Sequence, residues 1–187
     1  MKSHIVLALA SLALVACGNN KETNTDSVKT AEKMNEKKFE DNHMAADASF
    51  ATTAAEGGIL EVQLGELAQT NATSPKVKEF GKTMMDDHSK GNEELKTLAQ
   101  SKKIVLPATL GEANMKVYND LREKKGNEFD RAYMELMVKD HEDDIKEFRH
   151  ESEKGEDADI KAWAAGKLPM LEHHLQMAQE TQKWVKK

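Results

Sequence analysis

Four side chains that can bind metal ions occur once in each of four predicted long helices: Glu61, His88, His141 and His174. Each stands in a stripe of otherwise apolar or small residues, so each is expected to point into the interior of a helical protein. Imidazole nitrogen and carboxylate oxygen suit Zn, Fe, Mn and Cu. The four residues therefore predict a site for a single transition metal ion.

Three methionines extend this pattern. Met84, Met137 and Met170 each precede one of the three histidines by four residues, and residues i and i+4 share a helix face. Thioether sulfur beside imidazole favours copper, particularly Cu(I). The chain contains 10 Met residues, however, and methionine also fills irregular gaps in apolar cores. Both interpretations of the methionines remain open at this stage.

The same residues have a second interpretation that involves no metal. A helical protein can bury several histidines that hydrogen-bond to one another, to Glu61 and to water. The chain would then be a structural or interaction protein of the cell envelope. An oxidase-type enzyme is disfavoured, because the sequence lacks the carboxylates that such a site would need. The sequence also shows no nucleophile–base arrangement, no glycine-rich phosphate loop and no Cys-x-x-Cys pair. Asp87, next to His88, points about 100° away on a helix and is interpreted as a surface or supporting group.

The helices that must position these side chains are visible as apolar stripes with a spacing of three and four residues. The first begins at about residue 44 and the second at Ser74-Pro75, where proline suits the first helical position. The third follows Asn127, and the last covers about residues 157–184. A shorter helix over about residues 111–125 lies before the third. We predict an all-α protein, a four-helix bundle with a short extra helix between the second and third long helices.

The N-terminus predicts export and lipidation. An apolar run that ends at Leu14-Val15-Ala16-Cys17 is shorter than the roughly 20 residues needed to span a bilayer and fits a signal peptide. It resembles the bacterial lipobox, with Cys17, the only cysteine, as the lipidated residue. We expect residues 1–16 to be a lipoprotein signal peptide, residues 17–43 the lipidated cysteine and a flexible tether, and residues 44–187 the helical domain.

These segments predict the partners and the location. The lipid would attach the protein to a membrane of the cell envelope, most naturally the outer membrane, facing the periplasm or the exterior. The net charge of −6 gives no reason to expect nucleic acid as a partner. The sequence specifies no protein partner and no substrate.

Several sequence motifs resemble those of a known family. They are Glu61-Val62-x-Leu64-Gly65-x-Leu67-Ala68, Phe80-x3-Met84-x2-Asp87-His88, Leu106-Pro107, Phe129-Asp130-x2-Tyr133 with His141, and Leu168-Pro169-x-Leu171-x2-His174-Leu175. In this order, over about residues 46–180, they resemble an uncharacterised bacterial ferritin-like family of unknown function, described as predicted outer-membrane proteins. The resemblance implies a ferritin-like helical bundle in an exported protein and implies no activity.

The chain departs from ferritin-like enzymes in one respect. Di-iron proteins of that fold carry Glu-x-x-His on two helices. Three residues before the histidines at 88, 141 and 174 stand Met85, Val138 and Leu171. The carboxylates that would bridge two irons are missing from those positions, so the sequence does not predict di-iron oxidase chemistry.

Overall fold

The computed structural model describes residues 26–40 and 44–186. The predicted signal peptide, Cys17 and the first part of the predicted tether lie outside these residues. The described part contains α-helices and no strand, so the prediction of an all-α protein is confirmed. The helices are α1 (Ser27–Phe39), α2 (Met44–Asn71), α3 (Pro75–Lys102), α4 (Glu112–Arg122), α5 (Gly126–Lys154) and α6 (Ala158–Val185). Among them, none has the length and apolar character needed to cross a membrane.

The four long helices form two hairpins that pack together. α2 packs along α3, and α5 packs along α6, while α2 also contacts α5 and α3 also contacts α6. Connections of only three residues, 72–74 and 155–157, join the two helices of each hairpin, so the helices of a hairpin run in opposite directions. The short α4 contacts α2 and α5. Each long helix therefore presents one side to a shared interior.

Two buried aspartates hold the hairpins in register. Asp130, in the first turns of α5, accepts hydrogen bonds from the backbone amides of residues 73 and 74 at 3.1 and 2.9 Å. Asp47, in the first turn of α2, accepts from the amides of residues 156 and 157 at 3.0 and 2.6 Å. Each hairpin connection is thus fixed to a helix of the other hairpin. These contacts set the relative height of the two hairpins and of the side chains that they carry.

The prediction of a flexible tether over residues 17–43 is wrong for residues 27–39, which form α1 and pack against α2. Asp26 caps this helix by accepting from the amides of residues 28 and 29. Ala31, Asn35 and Phe39 are its buried residues. Asn35 also exchanges two hydrogen bonds of 2.8 Å with the backbone of Val105. The helical unit therefore begins before residue 44, because a narrow buried face and tertiary hydrogen bonds offset the polar composition.

The apolar core consists of three clusters. The first lies around Phe80, Met84 and Tyr133, with residues from α2 to α6. The second contains residues from α1, α2, α3 and α6, and the third residues from α5 and α6. Phe50 and Trp163 pack against both the second and the third cluster. The second and third clusters therefore adjoin each other, and the first is separate.

Candidate metal centre

A layer of polar side chains separates the first apolar cluster from the other two. On α5, His141 lies between Met137 of the first cluster and Ile145 of the third. His88 of α3 and His174 of α6 likewise stand between residues of the first cluster and residues of the second or third. One helical turn holds polar groups where the turns on either side are apolar. The three histidines are therefore buried at one level of the interior.

The structure brings the four residues predicted from the sequence into contact. Glu61 Oε2 lies 2.7 Å from His88 Nδ1, and Glu61 Oε1 lies 3.5 Å from His141 Nε2. The imidazole ring centres of His88, His141 and His174 are separated by 5.2, 5.4 and 5.7 Å. Glu61, His141 and His174 are at most 1% exposed, and His88 is 6% exposed. The four side chains form one compact cluster that is shielded from solvent.

One nitrogen of each imidazole has a polar partner. His88 Nδ1 lies 2.7 Å from Glu61 Oε2. His141 Nδ1 donates to the backbone carbonyl of Met137 at 3.0 Å, and His174 Nε2 donates to the Asp87 carboxylate at 2.9 Å. Such bonds fix the ring orientation and place the proton on the bonded nitrogen. The other nitrogen of each ring is then left with a free lone pair.

These second nitrogens are the most informative atoms of the cluster. His88 Nε2, His141 Nε2 and His174 Nδ1 are buried, and none finds a hydrogen-bond partner within the described part of the chain. The three histidines can each direct one ring nitrogen to within 4.8 Å of the others. Leaving a buried polar atom without a partner costs about 1–3 kcal/mol. Three such atoms in one place form a set of donors whose lone pairs a metal ion, or the hydrogens of a buried water, can satisfy.

Burial also keeps these imidazoles neutral. It lowers the pKa of His88 to about 4, that of His141 to about 3 and that of His174 to about 4, because a charged ring loses hydration in the interior. All three rings are therefore uncharged at neutral pH. Neutral imidazole is the form that binds metal ions.

Three carboxylates adjoin the histidines. Glu61, Asp140 and Asp144 each place a carboxylate oxygen within 4.8 Å of the other two. Burial raises the pKa of Glu61 and of Asp144 well above their ordinary values and that of Asp140 to about 6. The charges of the neighbouring carboxylates add to this rise for Glu61 and Asp144. Within residues 26–40 and 44–186, no Lys or Arg forms an ion pair with these three side chains, so a bound cation would relieve their repulsion.

Comparison with known proteins identifies the family. Residues 28–181 match a domain of unknown function, DUF4142. The chain belongs to the DUF4142 family. The predicted membership of a family of unknown function is confirmed. No functionally curated protein matches the DUF4142 chain.

A solved structure, CopM in the Cu(II)-bound form, is similar to the DUF4142 protein. The TM-score is 0.61 over 74% of this chain and 97% of CopM, at 20% sequence identity. At this identity the likeness shows that the two proteins share a fold. The bound Cu(II) is a property of the CopM structure.

The structure places the three methionines, which the sequence left open as copper ligands or core residues, on two sides of the polar layer. Met84 and Met137 are buried together in the first apolar cluster. Met170 packs instead against the third cluster, on the other side of the polar layer. The reason is helix direction: because α5 and α6 run in opposite directions, the turn before His141 and the turn before His174 lie on opposite sides of the layer. Met84 and Met137 are thus core residues, and Met170 alone shares a small cavity with Glu61 and His88.

Three residues of the DUF4142 site had no predicted role as ligands. Asp87, interpreted from the sequence as a surface or supporting group, supports the site by contacting His174 of α6. Asp140 and Asp144 lie on α5 and flank His141 in the sequence. Their spacing of four residues places them on one helix face. That spacing was the available signal, and the acidic run from 142 to 144 obscured it by resembling a solvated surface.

Proposed function

We propose that this DUF4142 protein binds one transition metal ion through His88 Nε2, His141 Nε2 and His174 Nδ1, with Glu61 as the fourth ligand. The observation that carries the proposal is the set of three buried nitrogens without partners, each on a ring whose other nitrogen is already held. A transition metal ion bound by imidazole lies about 2.0–2.1 Å from each ligating nitrogen. One ion would satisfy all three nitrogens.

The donor set limits the ion that we propose. Three neutral imidazoles and a carboxylate suit Cu(II), Zn(II), Fe(II) and Mn(II), and for such donors Cu(II) binds most tightly among divalent ions of this row. The likeness to Cu(II)-bound CopM makes copper the first ion to test. A Cu(I) site built from three thioethers is not supported, because Met84 and Met137 lie in the apolar core. The proposed role is binding and retention of the ion, without a catalysed reaction.

A structural role is the alternative that a specific observation favours. The bonds from Glu61 to His88 and from Asp87 to His174 are formed without any ion, so the cluster can act as a polar network that specifies how the helices pack. In that case His141→Ala would lower the stability by about 1–3 kcal/mol whether or not metal is added, since it leaves partners unsatisfied.

Thermal melting of the full chain in detergent separates the two roles. A Cys17→Ser background removes the only thiol, and Cu(II), Zn(II), Fe(II) and Mn(II) are added in turn. An ion that binds only the folded protein raises the melting temperature by mass action. We expect this rise in the parent chain and in the control His173→Ala, an exposed neighbour of His174, and its loss in His141→Ala. No rise with any ion would leave the structural role standing.

We further propose that the domain is a ferritin-like four-helix bundle, extended by α1 and α4, and that lipid on Cys17 anchors it in the cell envelope at the outer membrane. The sequence Leu14-Val15-Ala16-Cys17 supports the anchor, and several acyl chains give stable attachment where a single chain is marginal. Labelling of cells with a fatty-acid analogue tests it. Label is expected in the wild type and not in Cys17→Ser, and equal labelling of both would refute lipidation at Cys17.

A further inference from the structure

We propose that metal ions reach the buried centre through an acidic pocket between α2 and α5, and that Asp144 passes them from this pocket to Glu61. The inference rests on the proposed metal binding and adds the route of the ion. The pocket has a volume of about 350 Å³ and lies between the first half of α2 and the second half of α5. Its charged or titratable lining residues are Asp47, Asp144, Glu147, Glu151 and Glu156, with Lys154 and His150.

The carboxylates of this pocket lie at increasing depth. Glu147 and Glu156 are exposed at its rim. Glu151 is only 5% exposed, and its Oε1 is buried without a hydrogen-bond partner in the described residues. Asp144 is half-buried and lies closest to the polar layer. One of its carboxylate oxygens lies within 4.8 Å of a Glu61 carboxylate oxygen. An unpartnered buried oxygen in an acidic pocket is an arrangement that accepts a cation.

A second, smaller cavity lies between this pocket and the centre. Its volume is about 30 Å³, and Glu61 and His88 are among its lining residues. Ala54, Asp144 and Phe148 line both the pocket and the cavity. The proposed path therefore leads from the rim, past Asp144, to two of the proposed ligands.

The two cavity volumes indicate where along this path the ion loses its hydration water. The inner cavity has room for about one or two water molecules, whereas a hydrated divalent ion carries several. The ion must therefore exchange most of its water in the outer pocket, where carboxylate oxygens replace it. Acidic side chains outnumber basic ones in the pocket lining. A cleft with such an excess of negative charge concentrates cations and raises association rates by about 10–10³-fold.

The other side of the inner cavity is less suited to cations. Gly57 and Gly91 leave open space there, since a Cβ on either would meet nothing within 4 Å. Lys167, however, also lines the cavity, and its ammonium group pairs with Glu94 at this side. Lys167 and Glu94 together carry no net charge, so this side does not attract cations as a lining of unpaired carboxylates does. The acidic pocket is therefore the preferred route.

Stopped-flow binding of Co²⁺, followed by its visible absorption, tests the route on the full chain in detergent with Cys17→Ser. The variant Glu147→Gln/Glu156→Gln removes two rim charges. The control Glu66→Gln/Glu135→Gln removes two exposed carboxylates outside the pocket. We expect the pocket variant to associate at least about threefold more slowly than the control at low ionic strength, and this difference to shrink at 0.5 M salt, because rim charges act on the association rate. Equal association rates in the two variants would overturn the route.

A second pair of variants tests the passage itself. Ala54→Leu places a larger side chain between the two cavities. Gly91→Leu places one on the opposite side of the inner cavity. We expect Ala54→Leu to slow association and dissociation of Co²⁺ by the same factor, about tenfold, with an unchanged Kd, and Gly91→Leu to change neither rate. The reverse pattern would place the route on the Lys167 side. If the parent chain binds Co²⁺ and no variant changes its rates, the route alone fails; a parent that binds no Co²⁺ overturns the centre together with its route.

Discussion

Asp87 and His174 are joined across two helices by a hydrogen bond of 2.9 Å between Asp87 Oδ2 and His174 Nε2. Asp87 lies in α3, and the next residue, His88, is a member of the same cluster. One short segment of α3 therefore supplies a proposed ligand and also orients a ligand of α6. The bond leaves His174 Nδ1 facing the cluster without a partner.

Loss of this bond is expected to weaken metal binding without unfolding the protein. Partners that orient a ligating histidine typically contribute 10–100-fold to metal affinity, so Asp87→Ala should raise the Kd for Cu(II) by about that factor. Asp86→Ala is the matched control, since Asp86 is an exposed neighbour paired with Lys82. Isothermal titration measures both. Equal affinities in the two variants would show that Asp87 does not position His174.

Glu61 should determine the pH dependence of metal binding. Its pKa lies well above the ordinary value because it is buried, so metal must displace a proton from its carboxyl group when it becomes a ligand. The affinity of the wild type should therefore rise with pH. In Glu61→Gln the affinity should be lower and should depend less steeply on pH, because the histidine pKa values lie at about 3 to 4 and the neighbouring Asp140, with a pKa of about 6, still titrates in this range. Titrations between pH 5.5 and 7.5 test this, and the same slope in both proteins would exclude Glu61 as a ligand.

Glu151, which lies outside the metal centre, should make the stability of the protein depend on pH. Burial, followed by the charge of Asp47, raises its pKa from 4.5 to about 7. The folded protein therefore holds a proton that the unfolded chain releases between these values, and the free energy of unfolding should fall as the pH rises from about 4.5 to 7. Glu151→Gln removes this contribution. Urea unfolding of the metal-free protein should show that the variant gains stability relative to the wild type at pH 8 and not at pH 4; an equal difference at both values would contradict the raised pKa.

The aspartates that clamp the hairpin connections should matter for stability. Asp130→Ala leaves two backbone amides without their acceptor and should lower the free energy of unfolding by about 1–3 kcal/mol. Asp47→Ala should do the same at the other connection. Asp120→Ala, an exposed residue paired with Lys116, should cost less than about 1 kcal/mol. Urea denaturation compares the three, and similar small losses in all of them would refute the clamping role.

The long helices and the proposed ligands could be predicted from the sequence for the same reason. An amphipathic helix repeats its buried face every three or four residues, so a histidine within that stripe must point inward. His88, His141 and His174 each satisfy this condition. Pro75 marks the start of α3 because its ring suits the first helical turn.

Other features could not be predicted, because they depend on contacts between helices that the apolar stripe of a single helix does not reveal. Helix α1 buries only Ala31, Asn35 and Phe39, and Asn35 is polar, so its sequence resembles a tether until Val105 is placed beside it. The methionine spacing left two interpretations open because spacing along one helix does not specify the direction of the neighbouring helices. Asp140 was overlooked because an acidic residue beside other acidic residues usually faces solvent.

The central claim is that one metal ion binds the three unpartnered imidazole nitrogens, and anomalous X-ray diffraction from crystals grown with Cu(II) tests it most directly. We predict one dominant anomalous peak in the interior, about 2.0–2.1 Å from His88 Nε2, His141 Nε2 and His174 Nδ1, with a Glu61 oxygen as the remaining protein ligand. An interior without a peak, or peaks only at exposed histidines such as His150 and His173, would contradict the proposed centre.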